Sequence, residues 1–575
     1  MDELAPLRTG SYAGMWRDLL ESAFLHQWQG VKEFWRANAL YRLTLNGPMP
    51  DRLSLAPEDF QAQRLEDADA MFRGRFRLPG GTVLIKDGAL WDAESPNESW
   101  AEELHGFGWI RHFALAGGEA SSTFVRNAVH DWLKRYAEAS GLSWRPHVIA
   151  RRLAAWSTYT RLVISSNDML WRSQVLHSMA RQARHLARTL HEAPQGEPRL
   201  AAAIGLALMG IVLPDGAHRL KLGLDATARE LARQILPDGG HVSRNPEALL
   251  RILMDLMTLA VALRNQNRPV PDEIQSAIDR MAPMLRFFRH GDGRLAVFNG
   301  GGQGTEKSID AVLARDDAQG RPFGFAPHSG YQRLSAAKTL VLMDTGAPPA
   351  PAFSQNAHAG ALSFEMSSGP HRIIVNCGTT LLRGPEWREA CRQTQGHSTL
   401  GLDGVSSAET VSGGVIGRLL GPRLVLKGGV SSRRKEEENG IFIDAGHRGY
   451  AASHGLIHER RLFLSSAGDD LRGEDTLVSD PDARAKAQGR VRFSVRFHIH
   501  PDVRASMAQD GSVLLRLPGG EGWRFRAAGG TVGLEESIYL GAGDPIRRTE
   551  QIVVTGDGLA EPPCVKWAIR QIAPE

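Results

Sequence analysis

The feature that most constrains this chain is a change in hydrophobic period near residue 325. Before it, apolar side chains recur at helical spacing over roughly 120–140, 148–165, 169–192, 198–212, 217–236, 246–264 and 271–289. An α-helix turns every 3.6 residues, so this spacing gathers the apolar groups of each stretch on one face. Short turns rich in Gly, Pro, Asn or Asp separate the stretches, as at Gly141-Leu142-Ser143, Pro214-Asp215-Gly216 and Pro237-Asp238-Gly239-Gly240. Short connections make successive helices antiparallel neighbours. No fixed repeat runs through them, which excludes a consensus-repeat solenoid.

After residue 330 the period falls to two. In Val491 to His500 the apolar row is Val491, Phe493, Val495, Phe497 and Ile499, and the polar row is Arg492, Ser494, Arg496, His498 and His500. That is a strand with one buried face, and the polar row is expected to face solvent. Further strands are expected over 337–343, 361–367, 371–376, 423–427, 512–517 and 530–540. Many short strands without intervening helices predict an antiparallel β-sandwich. The chain is therefore read as an α+β two-domain protein, helical over 1–325 and β over 326–575. The Gly-rich stretch Asn299 to Gly304 and the loop to Phe325 form the connection. The first ~110 residues mix both signals and are read as entry helices with a small hairpin around Phe72 to Lys86.

Bulk properties narrow the function classes. The 575 residues exceed one ordinary domain, and an apolar fraction of 42% excludes wholesale disorder. The net charge of +4 is a mild bias towards anionic partners. No dense Lys/Arg run or nucleic-acid-binding motif is present, so no nucleic-acid partner is expected. Cys377, Cys391 and Cys564 form no CxxC pair, which excludes a disulfide framework and a cysteine zinc site. The acidic start Met1-Asp2-Glu3-Leu4-Ala5 lacks the basic lead of an export signal. The most apolar segment, Ala201 to Pro214, is short of the ~20 residues that span a bilayer. It is expected as a buried helix, no transmembrane segment is expected, and the cytoplasm is the default compartment.

A run of phrases in the β half carries a family resemblance. They are Pro327-His328-Ser329-Gly330-Tyr331, Asn356-Ala357-His358-Ala359-Gly360-Ala361-Leu362-Ser363-Phe364, and Ile374-Val375-Asn376-Cys377-Gly378-Thr379. Gly396-His397-Ser398-Thr399-Leu400, Gly446-His447-Arg448-Gly449-Tyr450 and His458-Glu459-Arg460-Arg461 follow in order. In the helical half, Leu104-His105-Gly106-Phe107-Gly108-Trp109 and Pro237-Asp238-Gly239-Gly240-His241 match more loosely. Together they resemble the heparinase II/III-type polysaccharide lyases. The resemblance implies an (α/α) toroid followed by a β-sandwich, with a cleft for an acidic polysaccharide (glycosaminoglycan- or alginate-like) between them. It also makes the periplasm or cell envelope a plausible location. The sequence fixes no oligomeric state.

The chemistry implied is β-elimination on a uronic acid. A base takes the C5 proton, a cation or amide neutralises the carboxylate, and an acid protonates the leaving oxygen. The family places an Asn or His and a Tyr in the toroid and a His in the sandwich. Aligned without gaps, the Tyr position falls on Ala248, and Gly196-Glu197-Pro198-Arg199 lies where an Asn-His pair is expected. His241 is then a candidate base, and Arg244 and Asn245 are candidates for neutralising the carboxylate. Asn245 also sits at an N-cap position with Pro246 at N1. Tyr331 is the best-placed tyrosine to supply a phenol or to pack; Tyr450 and His458 share that ambiguity. In the sandwich Asn356 stands at the catalytic His position, while His358 is kept. No cofactor is required. The family's structural zinc would rest on His358, Asn376 and His397, with Asn376 in place of an Asp and with Gly360 ending the family's His-x-His-x-Asp. Without metal, Asn376 is expected to hydrogen-bond both imidazoles.

The helical half is rich in Trp, with Trp100, Trp109, Trp132, Trp144, Trp156 and Trp171. Aromatic faces serve sugar C–H surfaces, and Arg or His between them serve carboxylates. His105, Trp109, Arg152 and Trp156 are the substrate-platform candidates. The alternative function is a non-catalytic glycan-binding or envelope polysaccharide biogenesis protein on the lyase scaffold.

Overall fold

The computed structural model describes residue 36 and residues 38–573, apart from 87–88, 165–167, 316–319, 381, 412, 414–420, 427, 483–490, 544 and 559–562. Helices dominate up to Leu313 and strands thereafter. The long helices are Gly118–Arg135, Pro146–Thr158, Met169–Thr189, Glu197–Val212, Ala217–Gln234, Pro246–Asn265 and Asp272–Phe287. The stretch expected over 148–165 breaks at Tyr159, beyond which lies the short helix Thr160–Val163. The early hairpin pairs Arg75–Leu78 with Gly81–Leu84. Among the described residues no helix is long and apolar enough to cross a membrane.

The helix Glu197–Val212 is the centre of the helical region, and almost all its side chains are buried. Glycines set how closely its neighbours approach. A Cβ on Gly205 would lie 2.6 Å from the Ala150 Cβ, and one on Gly223 would lie 2.3 Å from the Ala207 backbone nitrogen. The small side chains thus admit Pro146–Thr158 and Ala217–Gln234 nearly at backbone contact, and burial of the Leu and Ile rows does the rest.

The β region is a sandwich of two antiparallel sheets. One runs in the order Val430–Glu437, Gly440–His447, Leu456–Ser465, Asp470–Ser479, Cys564–Gln571, Gly522–Ala528, Val513–Arg516, Arg504–Met507. The other runs Thr531–Tyr539, Arg547–Gly558, Val491–Ile499, His371–Val375, Phe364–Ser368, Thr339–Asp344, Tyr331–Ala336, Phe325–Ala326. Their facing rows interlock in one apolar layer, where Phe364 stacks on Trp567 with ring centroids 5.5 Å apart.

The strands Thr339–Asp344, Phe364–Ser368 and His371–Val375 of the second sheet are buried on both faces. In Thr339–Asp344, Val341 and Met343 enter the sandwich core while Leu340 and Leu342 join the helical core. This explains why that strand is apolar throughout instead of alternating. The same outer face carries Tyr331, Asp344, Glu365 and Arg372 into the contact with the helical region, so the junction is a packed polar layer.

Candidate functional site

Two of the family-like phrases meet at this junction. Asp238 accepts from the backbone N–H of His328 (2.9 Å) and Ser329 (2.7 Å) and from the Ser329 hydroxyl (2.7 Å). Gly240 is required beside it, because a Cβ there would sit 1.9 Å from the Ser329 Oγ. A few residues on, Arg244 adopts a left-handed backbone (φ 58°) and drives its side chain into the sandwich. Its Nε donates to Ser329 O (2.7 Å), Nη1 to Gly346 O (3.2 Å) and Ala347 O (3.1 Å), and Nη2 to Gly330 O (3.1 Å) and the Asp344 carboxylate. A guanidinium has five N–H donors, and all five are engaged. The Tyr331 ring lies 4.7 Å beneath it. The Tyr331 hydroxyl donates to Arg244 O (2.6 Å) and accepts from Asn299 Nδ2 (2.8 Å), and burial pushes its pKa up.

The other helical candidates are equally engaged. His241 is buried; its Nε2–H donates to Gln234 Oε1 (3.1 Å), and its Nδ1 accepts from the Ser243 N–H (3.2 Å) and hydroxyl (2.7 Å). Burial lowers its pKa to about 4, so the ring is neutral with its lone pair occupied. Asn245 is an N-cap: its Oδ1 accepts from Glu247 N (2.9 Å) and Ala248 N (3.1 Å). Ala248 is fully buried one turn into that helix. Near the expected Asn-His position, Glu197 takes a two-pronged contact from Arg251 (3.1 and 3.2 Å). Arg251 also pairs with Glu247, which accepts from Gly302 N (2.9 Å).

In the sandwich, Asn356 is exposed, whereas His358 and His397 are buried side by side. His397 Nδ1 donates to Gln393 O (2.9 Å), which leaves Nε2 to accept from His358 Nδ1 at 3.1 Å. Burial holds His358 far below its ordinary pKa and His397 at about 4. Asn376 touches neither imidazole: its Oδ1 accepts from Ser398 N (3.0 Å) and its Nδ2 donates to Val297 O (3.3 Å). The expected three-residue network is therefore a histidine pair plus a separate amide. This set does not fit zinc, since its amide oxygen is engaged and it contains no carboxylate. Among the described residues no group of three or more His, Cys, Asp or Glu is gathered for a metal.

The platform candidates lie in the helical core. Trp109 and Trp156 are 1% and 0% exposed and offer no ring face to a ligand. Arg152 donates to Gln182 Oε1 (2.8 Å), His105 O and Ser143 O (both 2.9 Å), and lies 4.1 Å over the Trp132 ring. His105 accepts from Trp132 Nε1 (3.1 Å) and stacks on Trp91. Tyr450 and His458 are also internal, bonded to Leu400 O (3.0 Å) and Asp475 (2.8 Å). The polar row of Val491–Ile499 is not wholly solvated. His498 is buried beneath Ser537 and Cys377, and His500 closes a pocket.

The heparinase II/III N-terminus model matches residues 96–317, and the heparinase II/III-like C-terminal model matches residues 318–568. This chain belongs to the heparinase II/III family. It is 33% identical over 548 residues to FtsZ-localized protein C of Caulobacter vibrioides, covering 94% of this chain and 93% of that protein. Among solved structures it is similar to heparinase III, with a TM-score of 0.69 at 15% identity over 96% of this chain and 92% of that one. It is also similar to heparan sulfate lyase HepC from Pedobacter heparinus, with a TM-score of 0.55 at 16% identity over 93% and 88%. At such identities the structures establish a shared fold.

Two of the family phrases, those at Asp238 and at His328-Ser329, thus fasten helices to sandwich in this chain. Sequence reasoning missed the groups that complete the junction: Asn299, Asp344, Glu365, Arg372 and His290. Glu365 accepts from Val297 N (3.1 Å), lies 3.2 Å from His290 Nε2, and has its pKa raised by burial to about 7. A signal was present, because Asp344 and Glu365 are acids set inside otherwise apolar strands, where a charge needs a partner.

Proposed function

We propose that this chain binds a glycan on the lyase scaffold without cleaving it. The observation that carries this reading is that the candidate proton-transfer and charge-neutralising groups are internally bonded. The lone pair of His241, the five N–H groups of Arg244 and the hydroxyl of Tyr331 all meet protein partners. β-Elimination needs a base and a carboxylate-neutralising group that face the sugar. Ala248 supplies no phenol and Asn356 no imidazole. The test is incubation with a panel of acidic polysaccharides, following absorbance near about 232 nm, where the unsaturated product of proton abstraction absorbs. Saturable binding with no absorbance rise is expected. A rise proportional to protein concentration would return the chain to the uronic-acid lyases.

A second reading is favoured by the likeness to FtsZ-localized protein C, which spans nearly the whole chain. In it the chain works beside FtsZ in the cytoplasm, with the lyase fold as a binding scaffold. Co-sedimentation with GTP-assembled FtsZ polymers checks this. Retention in the supernatant at all FtsZ concentrations would remove it.

A further inference from the structure

We propose that a pocket between the segment 292–306 and the end of the sandwich holds a single anionic sugar residue; this names a site for the glycan-binding reading and rests on it. The pocket encloses about 240 Å³ and draws its walls from both halves of the chain. A water molecule occupies roughly 30 Å³ of liquid, so the space holds about eight waters, the bulk of one pyranose ring with its substituents. It is below the volume of a typical drug-sized site.

The lining carries both donors and acceptors. Arg372 is buried in the wall and forks onto Asp292, with Nε at 2.8 Å and Nη2 at 3.2 Å. Arg547 contacts Asp502 through one nitrogen at 2.6 Å and keeps further N–H groups. The side chain of Arg294 is exposed at the rim and forms no ion pair among the described residues. His500 Nδ1 lies 3.3 Å from Asp502 N and 3.5 Å from the Asp502 carboxylate. Burial lowers the pKa of His500 to about 4, so at neutral pH it is an uncharged hydrogen-bonding ring. Glu306 and Asp502 add acceptors.

This pattern selects among ligands. A bare anion would use the donors alone and be repelled by Glu306 and Asp502. Ring hydroxyls donate and accept, so they match both sets. A carboxylate on that ring finds Arg294 and the outer nitrogens of Arg547, where planar guanidinium groups suit it. The His500 ring contributes an apolar edge for sugar C–H groups, and Tyr539 is buried behind it, 5.0 Å away, where it backs the wall without facing the ligand.

Calorimetric titration of the full chain with glucuronate, glucose and inorganic phosphate tests the site. Glucuronate is expected to bind saturably, glucose at least about tenfold more weakly, and phosphate not to compete. The Arg294→Ala/Arg547→Ala variant should lose about tenfold or more for glucuronate. Arg294→Ala alone, altering one exposed side chain, repeats the test if the double variant does not fold. Absent glucuronate binding, equal competition by phosphate, or unchanged affinity in the variant overturns the assignment. Acidic polymer binding equally to wild type and variant would reject the pocket and leave the glycan-binding reading intact. Glucuronate binding without polymer binding would do the reverse.

Discussion

At the scale of single residues, Arg244 shows how a catalytic-looking side chain becomes a fastener. It leaves the helical half in a left-handed conformation and meets four carbonyls and one carboxylate of the sandwich. Lysine has three donors on a flexible stem and cannot replace a planar five-donor fork. Arg244→Leu would leave Asp344 buried without its cation and four carbonyls without their donor. Breaking a buried pair in this way costs about 3–5 kcal/mol. Adding Asp344→Asn should recover part of that loss, because no lone charge then remains inside. Equilibrium urea denaturation of the single and double variants measures both effects. A single-variant loss below about 1 kcal/mol, the level of a surface ion pair, would show that the clamp is not what holds the halves together.

At the scale of elements, helices were legible because their signal is local. The stretch expected over 246–264 is Pro246–Asn265, since the cap at Asn245 and the proline after it mark its start. The strand Val491–Ile499 was legible because its apolar row is uninterrupted. Leu456–Ser465 was missed for a physical reason: its inward row is His458, Arg460, Leu462 and Leu464. The two polar members are buried because Asp475, on the neighbouring strand, meets both, at 2.8 Å and 2.7 Å. Read singly, that strand looks half solvated. Val430–Glu437 has no apolar row at all, as suits a charged edge strand that discourages further pairing. The site followed the same rule. Residue types at the junction could be named from sequence, but their availability could not. The partner of Arg244 Nε is 85 residues away, and that of His290 Nδ1 is 77 residues away.

At the scale of the whole molecule, buried histidines set the response to pH. Burial depresses His105 and His498 to about 3, and His241 and His397 to about 4. His290 and His358 are held well below the ordinary value by the same cause. An unfolded chain protonates these rings near pH 6.5, whereas the folded chain does not until pH falls to about 4 or 3. Between those limits the unfolded state binds more protons, so stability falls as pH falls. Glu365 acts in the opposite sense. Burial raises it from 4.5 to about 7, so its contribution is full below pH ~4.5 and is lost as pH rises through 7. The depressed imidazoles, which also include His112, His185 and His500, outnumber the raised carboxyls Glu365, Asp255 and Asp344, so the melting temperature should drop between pH 7 and pH 5 at constant ionic strength. An equal or higher melting temperature at pH 5 would contradict the neutral, buried state of these rings. Glu365→Gln separates the opposing effect. The amide oxygen can still accept from Val297 N and Asn376 N, the two backbone donors that Glu365 Oε1 now serves. It carries no charge to bury, so the variant should gain on wild type as pH rises from about 5 to 8. A stability difference that stays flat across that range would mean that Glu365 is already ionised at pH 5.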